Sequence, residues 1–191
     1  MRFPLLSVAA AAALLAGVSQ VHAATYTLDP DHTFVTFEIG HFGTSTNRGR
    51  FDKKEGTVQF DRAGKTGKVD IVFHTASINT GTEAFNQHLQ SADLLDSAKF
   101  PTARFVANKF DFSGDKVTQV TGNLTLMGQT HPITLKASNF NCYDNPKHKR
   151  EVCGGDFETT LDRSQFGINY AIDWGFPKNV RLLIQVEAIK Q

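Results

Sequence analysis

HLQSADLLDSAKFPTARF, residues 88–105, is the part of the sequence that is most informative about the fold. It has the pattern of the end of an amphipathic helix, followed by a polar break, a proline and a strand. Just before and within it, Phe85, Leu89 and Ala92 fall at helical spacing, and Thr80 with Glu83 fits a capping box. We therefore expect one short helix, within residues 80–92, laid against a β-structure.

Most of the chain beyond residue 23 alternates apolar and polar residues with a period of two, which predicts strands with one buried and one wet face. Clusters of glycine, aspartate and other turn residues at 61–67, 113–115 and 127–129 predict hairpin turns. Roughly eight strands with short links predict an antiparallel meander. The clearest alternating segments are 35–39, 58–60, 69–73, 124–126, 133–137 and 180–186.

A sheet of eight antiparallel strands can close into a barrel, and closure removes the exposed edges that invite aggregation. The interior of such a barrel is filled by side chains or holds one small ligand, as in lipocalins. Only Phe3 precedes residue 24, so 15 of the 16 phenylalanines belong to this domain. Their rings suit the lining of a long apolar cavity, and a phenylalanine-rich packed core explains them nearly as well. The predicted fold is all-β, with one short helix.

The first residues have the composition of a secretory signal peptide. Arg2 supplies a positive charge, residues 4–18 are almost wholly apolar, and residues 19–23 read SQVHA. The apolar run is short for a membrane span, which needs about 20 residues. We expect cleavage after Ala23, so that residues 1–23 are the signal peptide and residues 24–191 are a single exported domain.

Charge argues against one class of partner. Removal of Arg2 leaves 19 basic and 19 acidic residues, and only residues 147–150 concentrate positive charge. A nucleic-acid partner is therefore not expected.

Cys142 and Cys153 are the two cysteines of the chain, and both lie in the exported part. An oxidising compartment favours a disulfide between them. The intervening residues, YDNPKHKREV, are polar and include a proline, which is typical of a hairpin loop. A loop of this length contributes about 2–3 kcal/mol when it is closed by a disulfide. A redox or metal-binding pair is the alternative interpretation.

No catalytic constellation stands out. The sequence contains no nucleophile elbow, P-loop or dinucleotide fingerprint, and its histidines form no close pair at metal-ligand spacing. We predict no catalytic residue, no metal site and no cofactor. His41 and His88 either pack structurally or bind the polar head group of a ligand, because a neutral imidazole both donates and accepts hydrogen bonds.

The chain resembles the YceI family, bacterial periplasmic β-barrels that bind polyisoprenoid lipids such as quinones. Four ordered blocks carry the resemblance. The resemblance implies an extended lipocalin-like barrel with a helix closing one side, a long hydrophobic pore for an isoprenoid chain, and a periplasmic location. The blocks are YTLDPDHTFVTFEIGHFGTSTNRGRFDKKEGTVQFD (26–61), HLQSADLLDSAKFPTARF (88–105), VTGNLTLMGQTHPITL (120–135) and LDRSQFGI (161–168).

Two features depart from the pattern of the YceI family. Met127 stands where members commonly carry histidine, so a head-group contact is not expected there. The loop between Cys142 and Cys153 is typical of only some members, and we interpret it as the mark of a subgroup.

The predicted function is that of a carrier for an isoprenoid lipid such as ubiquinone or a polyprenol, not an enzyme. An enzyme acting on a small substrate in the barrel, and an interaction or stress module with a packed core, are the alternatives. A homodimer and transient membrane contact are compatible with the sequence. The side chains predicted to contact the lipid tail are Phe37, Ile39, Phe42, Ile71, Phe73, Leu89, Leu94, Phe105, Leu126, Phe166, Ile168 and Ile184.

Overall fold

The computed structural model describes residues 23–191, which form one sheet of eleven strands and one α-helix. The predicted signal peptide lies outside the described residues apart from Ala23. The helix is α1 (Glu83–Gln90). The strands are β1 (Ala24–Leu28), β2 (Phe34–His41), β3 (Ser45–Phe51), β4 (Lys54–Asp61), β5 (Thr66–His74), β6 (Ile78–Asn79), β7 (Thr102–Ser113), β8 (Lys116–Leu126), β9 (Gln129–Asn145), β10 (Arg150–Asp162) and β11 (Asn179–Lys190).

The sheet closes because β1 pairs with both β4 and β11. β1 and β2 lie end to end, because both pair with β11. β3 and β4 likewise lie end to end, since β3 pairs with β2 and β4 pairs with β1. β5 and β6 form the next such pair, with β5 beside β4 and β6 beside β3. The eleven strands therefore make eight long strands, three of which are interrupted, and every pairing is antiparallel. The predicted eight-stranded antiparallel barrel with one short helix is confirmed.

The break between β1 and β2 is held by buried polar residues. Asp29, 6% exposed, accepts hydrogen bonds from the Asp31 amide and from Nδ1 of His32, both at 2.9 Å. Thr33, 2% exposed, donates to the carbonyl of Glu187 at 3.0 Å. These bonds satisfy groups that burial would otherwise leave unpaired, and they fix the bend where the chain changes its partner from β4 to β3.

The helix is shorter than the sequence pattern predicts. It begins at Glu83 after an N-cap at Thr82 and ends at Gln90, so Ala92 lies outside it and is exposed. The predicted capping box is wrong, because Gly81 adopts a φ of +82° and separates Thr80 from the helix. The Thr80 amide and hydroxyl instead donate to Oδ1 of Asn86, at 2.8 and 2.9 Å.

The return from the helix to the sheet is anchored at Thr75, which is fully buried. Its hydroxyl donates to the carbonyl of Phe100 at 2.7 Å and its amide donates to the carbonyl of Pro101 at 3.0 Å. These two bonds place the start of β7 beside the end of β5. The helix and residues 91–101 thus cover the region between β6 and β7.

The turns at 62–65, 114–115 and 127–128 join consecutive strands, as the sequence predicts. Met127 and Gly128 both have positive φ, 49° and 74°, which suits the right-handed twist of a two-residue hairpin. Cys142 and Cys153 face each other across β9 and β10 and form the predicted disulfide, with an S–S distance of 2.05 Å.

The core has two parts along the barrel axis. We call the end formed by β2, β3 and α1 the upper end, and the end at β1 and the β9–β10 hairpin the lower end. The upper part is centred on the buried residues Phe37, Ile78, Leu95 and Ile168. The lower part is larger and contains the buried phenylalanines at positions 60, 105, 140, 157 and 166.

Candidate functional site

The upper half of the barrel encloses a cavity of about 430 Å³, the upper cavity. Its wall combines the inward faces of several strands with α1, residues 94–95 and the segment from Arg163 to Phe176. The residues that line it are Val35, Phe37, Ile39, His41, Phe42, Asn47, Phe51, Phe73, Ile78, Phe85, His88, Leu89, Leu94, Leu95, Ala103, Leu124, Leu126, Leu161, Arg163, Ile168, Tyr170, Ala171, Trp174, Phe176, Val180 and Leu182.

The cavity wall is apolar because side chains along each strand point alternately into and out of the barrel in this region, and the inward ones are apolar. Along β2, Val35, Phe37 and Ile39 all point inward, and Leu124 and Leu126 do the same along β8. The cavity volume lies in the range of small-molecule sites, about 300–1,000 Å³. The barrel axis in its upper half is therefore not filled by side chains.

Gly49 on β3 makes room for one of these side chains. An added Cβ at Gly49 would lie 2.6 Å from a ring carbon of Phe37, which is closer than carbon atoms can approach. The bare backbone lets the Phe37 ring approach β3 closely. A side chain at position 49 would displace that ring.

Below the upper cavity lies a second, smaller one of about 100 Å³, the lower cavity. Phenylalanine rings at positions 60, 73, 105, 110, 140 and 157 form much of its wall. Val35 and Phe73 line both cavities, so they mark the boundary between them.

Four aromatic side chains stand around the opening of the upper cavity, and we call Phe42, Tyr170, Trp174 and Phe176 the aromatic rim. Trp174 is 70% exposed, Phe42 is 52% exposed and Tyr170 is 37% exposed, although all of them line the cavity. Phe42 and Phe176 meet edge to face at 5.5 Å between ring centroids, and Tyr170 and Trp174 do so at 5.8 Å. Phe42 sits at the β2–β3 turn with a φ of 49°, a conformation that bulky residues seldom adopt.

Arg163 holds the segment that carries three of the four rim residues. It is only 4% exposed, and its guanidinium donates to three main-chain carbonyls, those of Pro177, Ile168 and Tyr170, at 2.8–2.9 Å. Burial lowers the pKa of the Arg163 guanidinium, an effect that the neighbouring Asp162 carboxylate opposes. Because one planar group bonds three carbonyls, the segment 168–177 is fixed as a unit.

Polar side chains are few in the upper cavity and lie near its opening. The His41 ring contacts Phe42 and Phe176, with centroids 5.1 and 5.8 Å apart, and the His88 ring contacts Tyr170 at 5.0 Å. Asn47 also lines the cavity. Within residues 23–191, no Asp or Glu lines the upper cavity, so its polar groups are imidazoles, an amide, a phenol, an indole and a guanidinium.

Most of the predicted tail-contacting residues come together in this interior. Ile71, Phe105 and Ile184 line the lower cavity, and Phe73 lines both. Both head-group candidates, His41 and His88, line the upper cavity. The predicted residues that line only the upper cavity are Phe37, Ile39, Phe42, Leu89, Leu94, Leu126 and Ile168.

Phe166 is the exception, since it lines neither cavity. It ends a short 3-10 turn, Arg163–Phe166, that follows β10. The ring is 1% exposed and meets His131 edge to face at 5.0 Å. Phe166 is thus part of the packed wall.

The sequence prediction missed Asn47, Arg163 and the rim residues Tyr170, Trp174 and Phe176. These rim residues lie in a segment without strand alternation, so the period-two pattern gives no signal for them. An available signal was the aromatic density of NYAIDWGF, residues 169–176, directly after the block LDRSQFGI. Nothing in the sequence shows that Arg163 is buried.

A polar cluster closes the lower end of the barrel. The Tyr26 hydroxyl donates to Glu151 at 2.6 Å, Arg62 donates to the same carboxylate at 2.7 Å, and Lys190 lies 3.4 Å from it. The hydrogen bond from Tyr26 and the nearby cations hold the pKa of Glu151 below its usual range, against the effect of burial. Burial and the contact with Glu151 raise the pKa of Tyr26.

One grouping of potential metal-ligand atoms occurs in the described part of the chain, formed by Glu151 with Cys142 and Cys153. Both sulfurs of this grouping belong to the disulfide. A disulfide sulfur carries no thiolate charge, so the grouping as it stands is a poor metal site.

None of the helices in residues 23–191 has the length and hydropathy of a membrane span.

The match to a known family covers almost the whole described chain, because the YceI-like domain matches residues 26–188. The chain belongs to the YceI family. YceI-family relatives include a UPF0312 protein of Pseudomonas savastanoi pv. phaseolicola, 38% identical over 157 residues that cover 81% of each chain. A UPF0312 protein of Pseudomonas putida is 35% identical over 180 residues, covering 93% of this chain and 92% of the relative.

Solved structures agree with the YceI fold. The YCEI protein of Campylobacter jejuni, at 26% identity, superposes with a TM-score of 0.70 and covers 80% of this chain and 90% of its own. Burkholderia cenocepacia BcnA, at 22% identity, covers 84% and 98% with a TM-score of 0.69. A polyisoprenoid binding domain from Saccharophagus degradans, at 14% identity, covers 88% and 99% with a TM-score of 0.62. The last two likenesses concern the fold alone.

Proposed function

We propose that this protein binds a polyisoprenoid lipid, with the tail in the upper cavity and the head group at the aromatic rim. The observation that carries the proposal is the apolar cavity of about 430 Å³ that opens at one end of the barrel. Burial of an apolar tail contributes about 25 cal/mol per Å² of surface removed from water. The polyisoprenoid binding domain from Saccharophagus degradans, which shares the fold, supports the ligand class.

Binding explains the upper cavity better than catalysis does. The described residues that line it include no aspartate, glutamate, serine, threonine or cysteine, so the usual nucleophiles and carboxylate bases are missing from the wall. The wall does contain imidazoles, which act as general bases in many enzymes, but it offers them no serine, threonine or cysteine nucleophile and no carboxylate partner. The module with a fully packed core is not favoured either, because the upper half of the axis is open.

His41 and His88 are the proposed head-group ligands. Both lie at the opening, where a polar head group would sit while its tail occupies the apolar interior. A neutral imidazole can donate to a quinone carbonyl or accept from the hydroxyl of a polyprenol. Asn47 and Tyr170 offer further donors on the same wall. A quinone or a polyprenol is the head-group chemistry that these side chains fit best.

We further propose a carrier role in the periplasm, reached through the signal peptide at residues 1–23. A closed barrel shields a tail that water rejects, so it can hold such a lipid outside a membrane. Transient membrane contact follows from this role, because the lipid must enter and leave through the aromatic rim. Tryptophan and tyrosine favour the membrane interface, and the rim presents both. A homodimer stays a prediction, which light scattering would test.

Lipid extraction from protein purified out of a bacterial periplasm, followed by native mass spectrometry, tests the proposal. We expect an isoprenoid quinone or polyprenol bound to the barrel. His41→Ala and His88→Ala should each weaken rebinding by roughly three- to tenfold, the worth of one hydrogen bond. His148→Ala, in the β9–β10 turn, is the matched control and should bind normally. Delipidated protein that takes up neither class of lipid would refute the proposal.

A further inference from the structure

The upper end of the barrel gathers most of the exposed aromatic surface of the molecule. Five large apolar or aromatic side chains are exposed in the described part of the chain, and three of them, Phe42, Tyr170 and Trp174, belong to the aromatic rim. The other two, Val106 on β7 and Tyr143 on β9, line neither cavity. Exposed apolar side chains that cluster at one place mark an interaction surface.

Two turns of the chain form this surface together. Phe42 lies in the turn between β2 and β3, and Trp174 ends the 3-10 turn Ile172–Trp174. Phe176 joins the two turns, because its ring lies 5.5 Å from the ring of Phe42 and 5.8 Å from that of His41, between centroids. The two turns therefore present Phe42 and Trp174 as one continuous surface at the opening of the upper cavity.

Both turns are almost free of charge. Residues 39–47 contain no aspartate, glutamate, lysine or arginine, and residues 164–177 contain only Asp173. Removal of a charge from water costs far more free energy than removal of an uncharged polar group. The composition of the two turns thus allows them to leave water, with the exposed Asp173 as the group that must stay at the surface.

The charges that flank the two turns do not form a basic patch. Glu38 and Arg48, on either side of the first turn, bind each other at 2.7 Å. Arg163 precedes the second turn and is buried against main-chain carbonyls, which leaves Lys178 as the exposed cation beside that turn. Proteins that bind anionic lipid head groups use clusters of several basic residues. A zwitterionic membrane therefore suits this end of the barrel better than an anionic one.

We infer that the barrel docks on a zwitterionic lipid bilayer through these two turns, with Phe42 and Trp174 inserted among the lipids and the opening of the upper cavity facing the membrane. Tryptophan favours the level of the lipid head groups, which fits its place at the edge of the opening. A lipid then passes between bilayer and cavity without crossing water. That passage rests on the proposed function, whereas the docking surface rests on the exposure and the charge of the two turns.

Vesicles of phosphatidylcholine test the docking, because Trp174 is the single tryptophan of the chain. Vesicles should shift its emission to shorter wavelength. Brominated phosphatidylcholine should quench the emission more strongly with bromine near the head-group end of the acyl chain than near the methyl end. Added phosphatidylglycerol should not strengthen the binding, and added salt should not weaken it.

Three results of the vesicle experiment would overturn the inference. One is an emission spectrum that vesicles leave unchanged. Another is binding that requires phosphatidylglycerol and disappears in high salt, since it would come from charges elsewhere on the barrel. The third is a shift of the Trp174 emission that grows with protein concentration in the absence of lipid, because a second copy of the chain would then cover the rim.

Substitutions in the two turns should weaken the binding. Transfer of about 60 Å² of apolar surface out of water corresponds to a tenfold change in affinity. Trp174, 70% exposed, offers more surface than that, so Trp174→Ala should weaken sedimentation with vesicles about tenfold. Phe42→Asn should do the same, and asparagine tolerates the positive φ at this position.

Tyr143→Asn is the matched control, because it removes an aromatic side chain that is 42% exposed in β9, outside both cavities. It should bind vesicles like the wild type. Circular dichroism checks that each variant is folded. Folded Phe42→Asn and Trp174→Ala variants that sediment with vesicles as the wild type does would contradict the assignment of the two turns.

Uptake of geranylgeraniol, a prenyl alcohol, from cyclodextrin separates this inference from the proposed function. We expect the protein both to take up the alcohol without vesicles, as measured by native mass spectrometry, and to bind vesicles. Uptake without vesicle binding would overturn the docking and leave the proposed function standing. Vesicle binding by a protein that takes up neither geranylgeraniol nor a quinone would overturn the proposed function and leave the docking surface standing.

Discussion

Glu151 shows how a single carboxylate can serve as a structural centre in this barrel. It binds side chains from three separate strands or turns, since Tyr26 lies on β1, Arg62 follows β4 and Lys190 ends β11. Its side chain is 24% exposed, so these bonds form in a partly dry environment where charged hydrogen bonds are worth more than at the surface. The three contacts join the first and last strands at the point where the sheet closes.

Replacement of Glu151 by glutamine should therefore destabilise the fold. We expect a loss of about 1–2 kcal/mol in the free energy of unfolding near neutral pH, because Arg62 and Lys190 lose their anionic partner. The pKa of Glu151 is depressed in the folded state, so its contribution is present above the ordinary pKa of glutamate and disappears as the pH falls through the folded value. The difference between wild type and variant should shrink accordingly on acidification.

Urea unfolding at a series of pH values measures this difference. Asp70→Asn is a suitable control, because Asp70 pairs with Arg104 on the surface with both side chains about half exposed. Exposed ion pairs of that kind contribute about 0–1 kcal/mol. A Glu151→Gln variant that is no less stable than the control, or whose deficit is the same in acid, would contradict the assigned role.

At the scale of elements, the segment between β10 and β11 is the least regular part of the barrel and carries most of the aromatic rim. Gly167 and Ala171, with φ of 81° and 59°, lie between its two 3-10 turns, and Gly175, with φ of 87°, follows the second turn. The backbone bonds within the segment are local turn bonds, such as that from the Phe176 amide to the Ala171 carbonyl at 3.1 Å. The guanidinium of Arg163 adds bonds to the carbonyls of Ile168, Tyr170 and Pro177, so it ties the two ends of the segment together.

Replacement of Arg163 by lysine should loosen the rim segment. A lysine ammonium cannot reproduce the planar spread of donors that reaches three carbonyls, so we expect a loss of about 2 kcal/mol in stability. Lipid binding should weaken as well, because Tyr170, Trp174 and Phe176 lose their fixed positions. Trp174 is the single tryptophan, so its fluorescence anisotropy reports on the segment directly and should fall.

Arg48→Lys is the control for this substitution, since Arg48 is 61% exposed and pairs with Glu38 outside the cavity. It should leave the anisotropy of Trp174 and the affinity for lipid unchanged. Unaltered anisotropy in Arg163→Lys itself would show that the segment is held by other contacts.

The whole molecule is a closed sheet with a closed floor and an open top. The pairing of β1 with β11 closes the sheet around the axis, and the cluster around Glu151 covers the lower end. The upper end stays open between α1, the β2–β3 turn and the rim segment. An empty apolar cavity forfeits packing contacts, which makes the unliganded barrel less stable than a filled one. The ligand should therefore act as part of the core.

Ligand binding should accordingly stabilise the folded state. At a concentration a hundred times its Kd, geranylgeraniol should add about 2.7 kcal/mol to the free energy of unfolding, provided that it does not bind the unfolded chain. Thermal unfolding with and without the ligand measures the shift. Leu89→Trp, which fills part of the upper cavity from α1, should show a smaller shift. An equal shift in this variant would mean that the lipid binds elsewhere.

The sequence by itself indicated an antiparallel sheet of about eight strands, the hairpin turns and the disulfide, because alternation and turn residues are properties of neighbours along the chain. The strands β1, β3 and β10 were not among its alternating segments. Alternation places Val35, Phe37 and Ile39 on one face whatever the rest of the chain does, and the period of two makes their common orientation certain. The start of the helix, by contrast, lies later than the pattern predicted. Gly81, with its positive φ, turns the backbone between Thr80 and Glu83.

Only the tertiary structure decided which apolar residues face the cavity and which fill the wall. Phe166 and Phe176 are similar in the sequence, yet one is buried in the wall and the other lines the opening. Their positions depend on Arg163 and on contacts between residues far apart along the chain, such as that of Phe166 with His131. Closure of the barrel likewise brings Tyr26 beside Glu151, 125 residues away, where no local pattern could place it.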